Sequence, residues 1–161
     1  AINNLLLQAF LILTIASCSK GSLRPISSIN SLLVQSASTH REPSLGNGWL
    51  GTLANKQGKE VIELIDLRSG QKIALPGLNS ANTLTISMSV SSNGELIALI
   101  RQRGEKTELL LYRRRQRALQ KLEIIPKGVP KQVAIDGTGR IVAVQVSRNG
   151  KWDIDLIRIK S

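Results

Sequence analysis

Residues able to do chemistry are few and far apart in this chain. Its single imidazole, His40, lies in a Ser-rich stretch, and its single thiol, Cys18, directly follows an apolar run. Nucleophilic catalysis needs a Ser or Cys beside an activating base. No G-x-S-x-G turn is present to hold such a serine, and the glycine fingerprints of phosphate and dinucleotide sites are missing too. Asp153 and Asp155 alternate along one strand, with Glu63 and Asp66 at corresponding earlier positions. Calcium asks for about six to eight oxygens, so these acids read as an outward, solvated face. No catalytic residue, metal or cofactor is expected, and the chain reads as a non-enzyme.

The largest chemical signal is positive charge. Against 11 Asp+Glu stand 22 Lys+Arg, a formal net charge of +11. Arg101 and Arg103 flank one turn region, and Arg113, Arg114, Arg115, Arg117 and Lys121 follow shortly after. Read together they form one basic patch, suited to anionic lipid headgroups, acidic proteins or polyanionic glycans. The alternative is protection of an edge strand by cationic side chains. Nucleic acid is not favoured, because stacking aromatics should interleave with the cations and only Tyr112 is near. The chain has four aromatic residues in all, Phe10, Trp49, Tyr112 and Trp152. Trp49 is expected in the core. Trp152, with Ile154, Leu156 and Ile159 on the last strand, is the expected partner-binding edge.

The elements that must position these residues begin with a targeting segment. Residues 5–16 read LLLQAFLILTIA, shorter than the roughly 20 residues a helical span needs and suited to the apolar core of a signal peptide. The run ends in Ile15-Ala16-Ser17-Cys18, which resembles the lipobox of bacterial lipoproteins. That resemblance implies cleavage before Cys18 and lipidation of its sulfur, the thiolate being the acceptor. It places the protein outside the cell interior, lipid-anchored on the periplasmic or lumenal face of a bacterial membrane. The expected division is a signal segment over 1–17, a lipidated Ser-rich tether over 18–46, and a folded part over 47–161. Within the tether, Ser31–Gln35 has the composition of a short strand.

The folded part repeats. Asn47-Gly48-Trp49-Leu50, Asn93-Gly94-Glu95-Leu96 and Thr138-Gly139-Arg140-Ile141 each open a Val/Ile/Leu-rich run, then a Gly turn, then a second such run. The leading glycines, Gly48, Gly94 and Gly139, recur every 46 and 45 residues, a period that fits a four-stranded propeller blade. Asn93-Gly94 and Asn149-Gly150 are tight-turn pairs. The pattern predicts inner strands near Thr83–Ser89 and Lys131–Ile135. Second strands follow at Trp49–Leu53, Glu95–Ile100 and Arg140–Val146, and third strands at Val61–Leu67, Glu108–Arg113 and Trp152–Ile159. Fourth strands fall at Lys72–Leu75 and Leu119–Ile124. The first blade lacks an obvious inner strand unless Leu32–Gln35 supplies it, and the third lacks a fourth.

Ser91-Ser92-Asn93-Gly94-Glu95-Leu96-Ile97-Ala98-Leu99 resembles the S-P-D-G turn and following strand of TolB-type β-propellers. Ile135-Asp136-Gly137-Thr138-Gly139-Arg140-Ile141 resembles it with drift, and Leu64-Ile65-Asp66-Leu67-Arg68-Ser69-Gly70 resembles the end of the third strand. The resemblance covers 47–161 and implies an all-β fold of about three antiparallel blades in an incomplete ring, with an envelope-associated interaction role. Full rings take about four to eight blades. Two chains pairing into one ring, an open stack covered by a partner, or a piece of a larger assembly all satisfy the exposed strands. The expectation is a membrane-anchored scaffold or adaptor, with a protein partner or self-association capping open edges. The alternative is a peripheral binder of anionic lipid or glycan through the basic patch.

Overall fold

The computed structural model describes residues 23–160; the apolar run 5–16 and Cys18 lie outside them. One helix, α1 (Ser27–Gln35), precedes eleven strands: β1 (Thr39–Gly46), β2 (Trp49–Lys56), β3 (Lys59–Asp66), β4 (Lys72–Ile73), β5 (Leu84–Val90), β6 (Leu96–Arg103), β7 (Lys106–Arg113), β8 (Ala118–Leu122), β9 (Val129–Ile135), β10 (Ile141–Arg148) and β11 (Lys151–Arg158). They form three antiparallel sheets in the orders β1-β2-β3-β4, β5-β6-β7-β8 and β9-β10-β11. The three-sheet, unclosed, all-β architecture matches the expectation.

Two readings of the first 46 residues are corrected. The segment Ser31–Gln35 is the end of α1, not a strand. Ile29, Leu32 and Leu33 are spaced to share one helical face, and they pack on Leu50 and Ile65 of the first sheet. The tether boundary at 46 is also displaced, because Thr39–Gly46 is the missing inner strand of the first sheet, paired with β2 from Thr39↔Asn55 to Gly46↔Trp49. Its burial alternates residue by residue. Pro43 and the Ser and Gly around it masked that alternation.

The inner strands share a construction. Each has a register irregularity near its middle: between Arg41 and Ser44, between Thr85 and Ser87, and opposite Gln145/Val146. Such bulges add twist, which lets the sheets fan around a common side. Serine hydroxyls then seam them together. The Ser44 hydroxyl accepts from the Val90 N–H at 2.9 Å, and the Ser89 hydroxyl accepts from the Ile135 N–H at 3.0 Å. Two apolar layers fill the spaces between sheets. The first joins Leu53, Ile62 and Leu64 to Met88, Val90, Ile97, Leu99, Leu110 and Tyr112. The second joins Ala98, Ile100, Leu109 and Leu111 to Val133, Ile135, Val142, Val144 and Val146.

Turns are latched by short polar side chains. The Asp136 carboxylate accepts from the Arg140 and Ile141 N–H groups, both at 2.7 Å, and from the Thr138 hydroxyl. The Ser91 hydroxyl does the equivalent for the Leu96 N–H at 3.1 Å. The hydrogen bond from Thr138, with those from the backbone, pulls the Asp136 carboxyl down to about 2 from its ordinary 3.8. A depressed carboxylate stabilises the fold above its unfolded pKa and loses that contribution as pH falls through the folded one. The stability difference between the wild type and Asp136→Asn is therefore expected to be full above about pH 4 and to shrink towards pH 2. Urea midpoints of both proteins across that range check it; a constant difference contradicts it.

Candidate interaction surface

The strand registers align equivalent positions in the three sheets. In the first, Ser44 pairs with Gly51 and Gly51 with Leu64. The matching row in the second is Ser89–Ala98–Leu111, and in the third Ala134–Ala143–Leu156. One row along, Leu53–Ile62 corresponds to Ile100–Leu109 and to Gln145–Ile154. These rows face the following sheet. Leu64, Leu109 and Leu111 are at most 1% exposed and Ile62 only 3%, whereas Ile154 is 66% and Leu156 72% exposed. Among the described residues, the third sheet thus presents, uncovered, positions that are core in the other two.

The uncovered face is uneven. Its inner half carries Gln132, Ala134, Ala143 and Gln145. Ala134 stands where Ser44 and Ser89 supply the seam to the next sheet. Its outer half, on β11, carries the apolar groups. Trp152 is 56% exposed and shares this face with Ile154 and Leu156. Ile159, expected beside them, does not belong there. Strand side chains alternate, so Ile157 and Ile159 turn the other way and pack on the second apolar layer. Trp49 is partly buried against the first layer, as expected.

The opposite end of the stack is finished differently. On the first sheet's outward face α1 covers Leu50 and Ile65. Beside Ile65, Glu63 is bridged by Lys56 at 2.5 Å and Lys72 at 2.8 Å. Burial pushes the Glu63 carboxyl up, but the hydrogen bonds and charges of the two lysines outweigh it and leave it below the ordinary value.

The expected single basic patch is corrected. Arg103 and Arg113 stand at opposite ends of the β6–β7 pair, separated by an eight-residue strand, about 3.3 Å per residue. Arg101 is buried and sits 3.8 Å from Glu108, which also holds Lys121 at 3.1 Å. At the other end, Arg114 and Arg115 share Glu95, and the Arg114 guanidinium lies 4.9 Å from the centre of the Trp49 ring. Arg113 donates to the Lys160 carbonyl. Of the expected set, Arg103 and Arg117 are exposed without a carboxylate within 4.0 Å among the described residues. The acids of the strand faces are also engaged: Asp153 and Asp155 are held by Arg148, and Asp66 latches its own turn through the Arg68 N–H at 2.8 Å. His40 lies in β1, 2.9 Å from the Ser36 hydroxyl.

No family model and no curated protein matches the sequence. Solved structures do. TolB from Acinetobacter baumannii superposes with a TM-score of 0.57 at 16% identity, over 73% of this chain and 29% of that one. The β-propeller domain of the trilobed protease from Pyrococcus furiosus, described as having an open velcro topology, gives 0.57 at 13% identity, over 75% and 39%. The fold is that of a β-propeller, here as three blades of an unclosed ring. A structure from an analysis of two prolyl endopeptidases shares this likeness, at a TM-score of 0.59 and 13% identity over 87% of this chain and 24% of that one. The chain spans less than two-fifths of the length of each of these propeller proteins. Identities this low carry architecture and not activity. Within the propeller, the apolar outer strand of the third blade was legible in the sequence. The inner strand of the first blade was not.

Proposed function

We propose that this chain is a non-catalytic scaffold or adaptor that binds protein through the outer strand of its third blade, held at a bacterial membrane through lipidated Cys18. One observation carries the reading. Among the described residues, Ile154 and Leu156 are exposed where the equivalent residues of the other blades are interblade core. Exposed apolar groups clustered with an exposed Trp are the composition of a protein-docking core. The competing reading, a surface binder of anionic lipid or glycan, loses support because its cations divide between two ends of a blade and Arg101, Arg114 and Lys121 are ion-paired.

The test is recovery of the full-length protein from detergent-solubilised membranes, washed at low and then high salt, for the wild type and for Leu156→Asp. A stoichiometric protein retained by the wild type at high salt and lost by the variant is the expected result. Apolar docking survives salt, whereas contacts between exposed charges are screened. Complete loss from the wild type at high salt sinks the adaptor reading and favours the charged surface.

A further inference from the structure

The turn after the third strand differs between the first two blades. In the first, the Leu67 N–H donates to the Gly48 carbonyl, and the turn closes through Gly70, whose φ is +71°. In the second, the Arg114 N–H donates to the Glu95 carbonyl at 2.9 Å, and the Arg117 N–H donates to the Arg114 carbonyl at 3.1 Å. The pairs Trp49↔Asp66 and Leu96↔Arg113 are equivalent. Counting on from them, Arg114 stands for Leu67 and Arg117 for Gly70. Arg117 has a φ of +51°, a conformation that glycine takes freely and that strains any residue with a Cβ. The second blade thus keeps an arginine where the first has glycine, and Arg114 and Arg115 come with it.

These three arginines line one side of a cleft of about 490 Å³ between the two blades. Arg114 is held in place by Glu95 and by the Trp49 ring beneath it. Trp49 is seated against the bare backbone of Gly94, where a Cβ would fall 2.7 Å from the ring. The other side of the cleft is Ala74 and Pro76, just after β4. This segment is pinned twice. The Tyr112 hydroxyl donates to the Pro76 carbonyl at 2.8 Å. Three residues on, the Asn79 side chain stands in for a longer fourth strand, accepting from the Ile62 N–H at 2.8 Å and donating to the Ile62 carbonyl at 3.0 Å. The charges in the cleft do not cancel. Three guanidiniums face one lining carboxylate, Glu95, which Arg114 shares with Arg115 at 3.2 Å, leaving +2. The Arg114 Nε–H is buried and has no hydrogen-bond partner among the described residues. Arg115 and Arg117 are exposed and free to close on a ligand.

We propose that this cleft binds the doubly charged phosphate of a phosphomonoester. Guanidinium forks match phosphate oxygens two at a time. The local charge of +2 matches the near-dianion that a phosphomonoester carries at neutral pH, not the single charge of a diester. The cleft has the size of small-ligand sites. Glu95 is the built-in competitor: it holds Arg114 and Arg115 in the empty cleft, and the phosphate draws Arg115 away from it. A soluble phosphomonoester and a lipid headgroup ending in one offer the same chemistry. The cleft shares no residue with the third-blade surface, so this site stands apart from the adaptor reading.

The test titrates the full chain with phenyl phosphate at constant ionic strength, following the Trp49 indole and the arginine Nε–H signals by NMR. Saturable shifts at Trp49 and Arg114 are expected. Arg117→Gln is expected to weaken binding by about tenfold, the loss of one charge-assisted contact. Arg103→Gln removes the same charge from the far end of the β6–β7 pair and is expected to change binding by less than about twofold, because distant exposed charges are screened. Glu95→Gln keeps an acceptor for Arg114 and removes the competing charge, so it is expected to tighten binding by about threefold or more. Dimethyl phosphate, a singly charged diester, is expected to bind about tenfold more weakly than phenyl phosphate. Vesicles separate the two sources. If phosphatidylcholine vesicles containing phosphatidic acid displace phenyl phosphate and pure phosphatidylcholine vesicles do not, the ligand is a headgroup; if neither does, it is soluble. Three results overturn the site: no saturable shift at Trp49, equal losses in Arg117→Gln and Arg103→Gln, or weaker binding in Glu95→Gln.

Discussion

Leu111→Ala is expected to lower the unfolding free energy by about 2–5 kcal/mol, the range for emptying a packed core site. Leu156→Ala, at the same blade position, is expected to stay within about 0.5 kcal/mol of the wild type. Leu111 is fully buried between the second and third blades, and removing its side chain leaves a void walled by Ala98, Ile100 and the valines of β10. Leu156 already meets solvent on that face, so truncation removes little burial. Urea unfolding of both variants measures the contrast, and a Leu156→Ala cost close to that of Leu111→Ala would refute the equivalence of the two positions in opposite states of burial. Bound partner is expected to raise the cost of Leu156→Ala towards that of its buried counterpart.

Gly46→Val is the second large effect, expected to destabilise by about 1–3 kcal/mol through overpacking against atoms that cannot yield. A Cβ built at Gly46 falls 2.6 Å from the Ser91 carbonyl oxygen and 3.1 Å from that of Ser92. Both are backbone atoms of the next blade, and the adjacent Asn47 N–H donates to the Ser92 carbonyl at 2.7 Å. A side chain must therefore push the first and second blades apart or break that bond. A denaturation midpoint no lower than that of the wild type refutes the account.

The same glycine shows why some of the fold was hidden. In a stretch rich in Ser, Pro and Gly, Gly46 reads as tether. Its role, close approach of two backbones, depends on a residue 45 positions away. Second and third strands declared themselves because their partners lie next in sequence across Gly turns, and both members are apolar. β1 alternates too, but its exposed positions include Arg41, Pro43 and Leu45, and its inward ones include His40 and Ser44. No apolar period survives in it. Helix α1 failed for the opposite reason: Leu32, Leu33 and Val34 in a row look like a strand until Ile29 is placed one turn earlier.

The candidate surface divides along the same line. Trp152, Ile154 and Leu156 alternate, so their common face was readable, and Ile159 breaks that parity by one residue. The cations were misjudged because adjacency in sequence at a hairpin is distance in space. Arg103 and Arg113 are ten residues apart and stand at opposite ends of the β6–β7 pair. The Asn79 side chain standing in for a strand had no local signal, since an amide closing another segment's backbone is legible only after both are placed.

Among the described residues, the two outer faces of the stack are unlike, and this bears on how many neighbours the stack can take. A stack with the same sticky surface at both ends, or complementary surfaces at its two ends, propagates, and its assemblies grow with concentration. Here, among the described residues, α1 and the Glu63–Lys56–Lys72 cluster leave the first blade with nothing that matches the apolar outer strand of the third. On the proposed reading, the docking surface is confined to one face of the described residues. On the adaptor reading proposed above, complexes are expected to saturate at a single equivalent of partner and to keep a constant mass as concentration rises.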